Sequence, residues 1–320
     1  MLTWRQVNSA SMMRWMVACA ALYLAGWAAS GNPPAFSAVA DRPAMSAAAA
    51  QEQLQAAIKA DDLGRMRSLI DAGVDVNAAD KDGNTPLMLT AGVQNVEAVR
   101  LLLAAHANVN AKNATGYTAL LMSFAKGDLV LVYLKYLVPG LVEQAVKPFS
   151  GPSPEEKAAM LKGAYAKAAE SDSIDVVKLL LAAKADVNAA DDNGRTALAA
   201  ASFHGNARMV AVLLAAGANV DARHYDGSTA LMDAVDADSV EVVRALLMAK
   251  ADVNARREDG FTVLMLAAQA GNAEIVRSLL SAKPNVNARG SEGETALSLA
   301  LQNRHAQAAA LLQRAGAKEF

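Results

Sequence analysis

Glycines recur along this chain at a fixed spacing. Four of them follow one another at intervals of 33 residues, and two more lie upstream at the same separation: Gly194, Gly227, Gly260 and Gly293, and Gly83 and Gly116. A fixed period of this length indicates repeated supersecondary units, each unable to bury its apolar face alone. The chain has 320 residues, but a stack of such units grows by addition and can remain one domain.

Each full repeat opens with a glycine, one variable residue and a threonine. Gly83 permits the backbone twist of a tight turn. Thr85 can cap the following helix through its hydroxyl, and Pro86 suits the first helical position, where its missing N–H costs nothing. Six threonines share this phase: Thr85, Thr118, Thr196, Thr229, Thr262 and Thr295. The pattern predicts a tight turn followed by a short helix in each of these repeats.

The second half of each repeat predicts another helix with one buried side. The spacing of its apolar residues gives a stripe, as in Ile275, Val276, Leu279 and Leu280. Three repeats end this helix with a glycine, where a left-handed residue stops the helix: Gly73, Gly217 and Gly316. We expect the same left-handed backbone at the residues that share this phase in four other repeats, namely His106, Lys184, Lys250 and Lys283.

The repeat over residues 191–222 resembles the ankyrin repeat. It has Asp-x-x-Gly-x-Thr-Ala-Leu, then Gly-Asn, then Val-x-x-Leu-Leu-x-Ala-Gly-Ala-Asn-Val. The resemblance implies an all-α ankyrin-repeat solenoid of about eight helix-turn-helix repeats with short β-hairpin-like loops. That number includes a degenerate first repeat over residues 47–79. The histidine that ankyrin repeats usually place after Thr-Pro-Leu is replaced here by Met88, Leu121, Ala199, Met232, Met265 and Ser298.

The interval between Gly116 and Gly194 is 78 residues, which is two periods of 33 plus 12. We therefore expect a hidden fourth repeat, with its first helix over residues 155–170, its second helix from Ile174 and an expanded region over 138–156. Just before it, the second helix predicted for repeat three, residues 129–137, is unusually apolar. Either the insertion folds over this helix, or the helix forms an exposed patch for a partner or a membrane.

The first 40 residues have the parts of a secretory signal peptide. Arg5 and Arg14 precede an uncharged run over residues 15–30, and small residues suited to cleavage end at Ser30 and Ala40. We expect a signal peptide and short leader over residues 1–40, an ankyrin repeat domain over 41–320, and a periplasmic or secreted protein of bacterial type.

An uncleaved leader is the alternative. Residues 15–30 would then anchor the chain in the inner membrane, although 16 residues fall just short of the ~17–25 that span a bilayer. Unless residues 129–137 form an exposed patch for a membrane, membrane contact is expected only through this leader if it is uncleaved. Cys19, the single cysteine, also lies there, so a processed chain would have none, which fits an oxidising compartment.

The residue types that perform chemistry are sparse. None of the four histidines is paired with another at metal-ligand spacing, and the sequence lacks the common catalytic and phosphate-binding motifs. A net charge of −2 without a basic stripe argues against nucleic acid as a partner. We therefore expect no metal, no cofactor and no enzymatic activity.

The resemblance implies a partner on the concave side, along the hairpin tips and first helices. By phase, the residues expected to contact it are Tyr117, Arg195, His224, Tyr225, Arg256, Arg257 and Phe261. Each could instead be a solvated turn residue. The expected function is a non-enzymatic protein–protein interaction module that is exported and binds a protein partner. The alternatives are an immunity-type or guard protein for a secreted enzyme or toxin and, more remotely, an accessory of an enzyme.

Overall fold

The computed structural model describes residues 46–124 and 174–318. Almost all of the described residues, from residue 50 onward, belong to one compact unit. The predicted leader over residues 1–40 and the expanded region over 138–156 lie outside the described residues. So do the predicted helices over 129–137 and 155–170.

The described residues form fourteen helices in consecutive pairs. The pairs are α1 (Ala47–Lys59) and α2 (Leu63–Asp71), α3 (Pro86–Gly92) and α4 (Val96–Ala104), α5 (Ala119–Met122) and α6 (174–182), α7 (Ala197–Phe203) and α8 (Ala207–Ala215), α9 (Ala230–Asp236) and α10 (Val240–Met248), α11 (Val263–Ala270) and α12 (Ala273–Ser281), and α13 (Ala296–Gln302) and α14 (Ala306–Arg314). First helices pack on first helices of neighbouring pairs, and second helices on second helices. The predicted all-α solenoid is confirmed.

Short hairpin-like loops join the pairs. Three of them contain a single antiparallel bridge, and these bridges join Ala190 to Thr196, Arg223 to Thr229, and Arg256 to Thr262. The glycine of each loop has a positive φ, for example 76° at Gly194, as the turn pattern predicts. In five of the six repeats the loop threonine accepts a hydrogen bond from the backbone N–H three residues later, whereas Thr229 makes no such cap.

The predicted left-handed helix ends are also confirmed. The φ angle is 62° at His106, 68° at Lys184 and Lys250, and 56° at Lys283. Residues other than glycine are strained in this region. Because the positive φ recurs at the same phase in four repeats, it reflects the backbone that the repeat requires.

The core runs between the two rows of helices. In α10, Val242, Val243 and Leu246 are fully buried, and the corresponding residues of α12 are buried as well. Burying one such side chain stabilises the fold by roughly 1.5–3 kcal/mol. The core therefore accounts for the regular apolar stripe of the second helices.

A ladder of hydrogen bonds follows the second helices. In each segment an Asn or Asp side chain accepts the backbone N–H of a residue in the next repeat, at 2.6–2.9 Å; the acceptors are Asn77, Asn110, Asn188, Asp221, Asn254 and Asn287. These hydrogen bonds join neighbouring repeats at the edge of the apolar core.

The prediction of a separate fourth repeat between Gly116 and Gly194 is wrong. The carbonyl of Thr115 accepts the N–H of Asp192 at 3.3 Å, and the side chain of Asn110 accepts the N–H of Asp186 at 2.8 Å. The two hairpins are therefore direct neighbours, with no repeat stacked between them. α5 and α6 belong to one repeat, so the described helices make seven stacked pairs. The 78-residue interval is one period of 33 plus 45 residues, and the surplus falls between the two helices of the third repeat.

Candidate functional site

Three consecutive hairpins, residues 191–195, 224–228 and 257–261, form a continuous row. The carbonyl of Asn193 accepts the N–H of Tyr225 at 3.0 Å, and the carbonyl of Asp226 accepts the N–H of Glu258 at 2.9 Å. Because backbone bonds set the register, the side chains at the first position of each hairpin lie side by side. These side chains are Asp191, His224 and Arg257.

The hairpins differ in the side chain that stabilises the turn. Asp191 Oδ1 accepts the N–H groups of Asn193 and Arg195, both at 2.9 Å. In the next hairpin Asp226 stabilises the turn instead, because it accepts both the N–H and the hydroxyl of Ser228 at 2.9 Å. His224 is therefore not needed to stabilise its turn. Arg257 is likewise not needed to stabilise its turn, because Asp259 accepts the N–H of Phe261 at 3.0 Å.

His224 turns toward a buried carboxylate in α9. Its Nε2 lies 3.4 Å from Asp233 Oδ2, and the side chains are only 11% and 9% exposed. Neither atom has a hydrogen-bond partner among the described residues. We call these two residues the His224–Asp233 pair. The other repeats place apolar residues at the phase of Asp233: Leu89, Met122, Ala200, Leu266 and Leu299.

Burial dominates the electrostatics of the His224–Asp233 pair. It raises the pKa of Asp233 to about 7; Asp236 and Asp226 add to this shift, and Arg195 opposes it. Burial, followed by the charge of Arg195, lowers the pKa of His224 below its usual value, against the opposing effect of Asp226. Both shifts favour the uncharged form of each side chain.

Exposed aromatic side chains and two half-buried arginines surround the pair. The guanidinium carbon of Arg195 lies 5.5 Å from the ring centroid of Phe203, within cation–π range, and Phe203 is 46% exposed. Tyr225 is 74% exposed at the hairpin tip. Arg257 contacts Asp259 and opposes the burial that raises the pKa of Asp236. We call the surface formed by Arg195, Phe203, Tyr225, Asp236 and Arg257 over the pair the hairpin surface.

Not every residue chosen from the sequence lies on the hairpin surface. Arg195, His224 and Arg257 come together there, and Tyr225 stands at its tip. Arg256 instead donates a hydrogen bond from Nη1 to the carbonyl of Arg289 at 2.8 Å, which joins one hairpin to the next. Arg223 bonds the carbonyl of Arg256 in the same way at 2.9 Å. Phe261 and Tyr117 are half-buried and pack against the core.

Sequence reasoning missed four members of this site: Phe203, Asp226, Asp233 and Asp236. Asp233 had a usable signal, because a charged residue stands at a phase that is apolar in the other repeats. Phe203 had a weaker signal. It shares a phase with Gly92, Asp236, Gln269 and Gln302, so only its aromatic side chain sets it apart.

Other kinds of site find no support in the described ranges. Residues 46–124 and 174–318 contain no cluster of three or more side chains suited to a metal ion. Among the helices of those same ranges, none is long and apolar enough to cross a membrane.

A family model described as ankyrin repeats, in three copies, matches residues 54–141, 166–257 and 250–319. These matches cover most of the chain, and the chain belongs to the ankyrin repeat family. Ankyrin repeats are a scaffold for protein–protein interaction, so the chain is a protein–protein interaction module with a protein partner.

One similar protein is the E3 ubiquitin-protein ligase KEG of Arabidopsis thaliana. It is 30% identical over 149 residues, which is 45% of this chain and 9% of that protein. The chain thus spans a small part of that relative, and the similarity is confined to repeats.

Proposed function

We propose that this chain is an exported binding module that holds a protein partner on the hairpin surface. The observation that supports this most is the concentration of exposed aromatic and half-buried arginine side chains over three hairpins joined by backbone hydrogen bonds. Tyr225 and Phe203 offer apolar area, and Arg195 and Arg257 offer charge beside it. Aromatic residues and arginine dominate the binding energy of many protein interfaces.

Rigidity adds to this argument. Hairpins 191–195, 224–228 and 257–261 are bonded to one another through their backbones, and side chains of Asp191, Asp226 and Asp259 brace their turns. A partner therefore meets a surface that is already ordered, and little conformational entropy is lost on binding.

The leader supports export. Arg5, Arg14 and the uncharged run over residues 15–30 have the order of a signal peptide. N-terminal sequencing of the protein from an extracellular or periplasmic fraction is expected to begin after Ser30 or Ala40. A chain that still begins at Met1 in the membrane fraction would instead support anchoring through residues 15–30.

Truncating Tyr225 is expected to weaken partner binding by about tenfold or more, because a large exposed anchor at the tip of the middle hairpin is lost. The purified full-length protein and its Tyr225→Ala variant would be used to capture proteins from the exported fraction. The affinity for the recovered partner would then be measured by calorimetry. Arg257→Ala is expected to act in the same direction with a smaller loss.

Met248→Ala is the matched control. Met248 is 82% exposed but lies at the end of α10, a second helix of the same repeat. Its loss is expected to leave the affinity unchanged. Equal binding by wild type and Tyr225→Ala, or a greater loss with Met248→Ala, would contradict the proposed surface.

The same experiment separates a general binding module from an immunity-type or guard protein. If the recovered partner is a secreted enzyme or toxin whose activity falls when it is bound, the guard function is supported. If its activity is unchanged, or if it has none, the module acts as a scaffold.

A further inference from the structure

We propose that His224 and Asp233 share one bound proton. Release of this proton would place one negative charge directly beneath the hairpin surface. Both groups that bind the proton belong to this chain, so its binding does not require a partner.

The position of Asp233 is the first reason. The side chain is 9% exposed and stands where the other repeats place leucine, methionine or alanine. An ionised carboxylate is costly at such a position unless it is paired, and a bound proton removes its charge. The fold of this repeat therefore favours the protonated carboxyl group.

The geometry supplies an acceptor for that proton. Nε2 of His224 is 3.4 Å from Oδ2 of Asp233, and neither atom has a hydrogen-bond partner among the described residues. With one proton bound, either the carboxyl O–H donates to Nε2 or the imidazolium N–H donates to the carboxylate. Both arrangements are neutral overall and differ only in the position of the proton. When the proton leaves to solvent, the pair carries one negative charge.

Charged groups from three elements face the pair. Asp191 and Arg195 come from the preceding hairpin, Asp226 from the hairpin of His224, and Asp236 from α9. Arg257, on the following hairpin, acts on Asp226 and Asp236 and not on the pair itself. Three carboxylates thus surround the pair against one guanidinium group. The excess of negative charge favours retention of the proton, and Arg195 moderates this effect.

Two labelled nuclei can follow the proton. The full-length protein would be prepared with 13C at the aspartate carboxyl carbon and 15N in the histidine ring, and NMR spectra recorded from pH 5 to 9. We expect the Asp233 carboxyl carbon and His224 Nε2 to shift in one common step with a midpoint near neutral pH. Ordinary aspartates, with a pKa of about 3.9, would already be ionised across this range.

Two variants complete the experiment. Asp233→Asn keeps the size of the side chain and is expected to abolish the His224 step near neutral pH. Asp236→Asn changes an exposed carboxylate of the same helix and is expected to leave a common step in place. The proposal is overturned if Asp233 is ionised at every pH from 5 to 9 in the wild type. It is equally overturned if the two nuclei titrate at separate midpoints.

Discussion

Replacing Asp233 with leucine is expected to stabilise the protein by about 2 kcal/mol at pH 8, an unusual result for a change in a buried residue. Burial raises the pKa of Asp233 to about 7, and each unit of pKa shift corresponds to ~1.4 kcal/mol. The buried carboxylate therefore lowers the free energy of unfolding by on the order of 4 kcal/mol once it is ionised. Leucine removes that cost but leaves His224 without a partner, which costs about 1–3 kcal/mol.

The sign of the pH dependence follows from the direction of the shift. The folded state binds the Asp233 proton more tightly than the unfolded chain, so its contribution to stability is full below about pH 4 and is lost as pH rises toward 7. The lowered pKa of His224 acts in the opposite direction, because its contribution is lost as pH falls below the usual histidine value. The gain from Asp233→Leu should therefore be greatest above pH 7 and should shrink in acid.

Urea denaturation of wild type and Asp233→Leu at pH 5 and pH 8 would measure both effects. Asp236→Leu is the control, since Asp236 lies exposed in the same helix and its replacement should change stability far less. A lower free energy of unfolding for Asp233→Leu than for the wild type at pH 8 would contradict the expected cost of the buried carboxylate.

Replacing Gly116 with alanine is expected to cost about 2–4 kcal/mol, from backbone strain and steric overlap together. Gly116 has a φ of 78°, and a Cβ atom there would lie 2.8 Å from the backbone nitrogen of Asp192 in the next hairpin. The backbone cannot yield as a flexible side chain would. The change therefore tests the direct contact between the hairpins on either side of the 45-residue surplus.

Gly293→Ala provides the matched comparison. Gly293 occupies the same hairpin position with a φ of 89°, but a Cβ atom there would meet nothing within 4 Å. Its replacement should cost only the conformational strain, about 1 kcal/mol. Equal losses of unfolding free energy for the two variants in urea would contradict the direct stacking of residues 113–117 on residues 191–195.

The repeat architecture could be predicted because it depends on local backbone requirements. Gly194 must adopt a positive φ in its turn, Thr196 must cap a helix, and Lys250 must accept a left-handed helix end. Each requirement leaves its mark at a fixed phase of the sequence. The division of residues 116–194 left no such mark, because the surplus can be divided in more than one way. The contacts of Thr115 with Asp192 and of Asn110 with Asp186 show which hairpins are neighbours.

The candidate site was partly predictable for the same reason. Arg195, His224 and Arg257 are visible by phase, because hairpin tips recur every 33 residues. The phase does not reveal which way a side chain turns. Arg256 bonds the next hairpin and His224 turns inward to Asp233, although both stand on hairpins. The first outcome depends on a contact between repeats and the second on a contact between the hairpin and the first helix of one repeat, and the recurrence of a phase reveals neither.

Hydrogen–deuterium exchange on the complex with the recovered partner would test the proposed surface most directly. We expect slower exchange in hairpins 191–195, 224–228 and 257–261 and in the first helices α7 and α9. Exchange in the second helices α10 and α12 should be unchanged. Protection confined to those second helices, or no protection of the three hairpins, would contradict the proposal that the hairpin surface binds the partner.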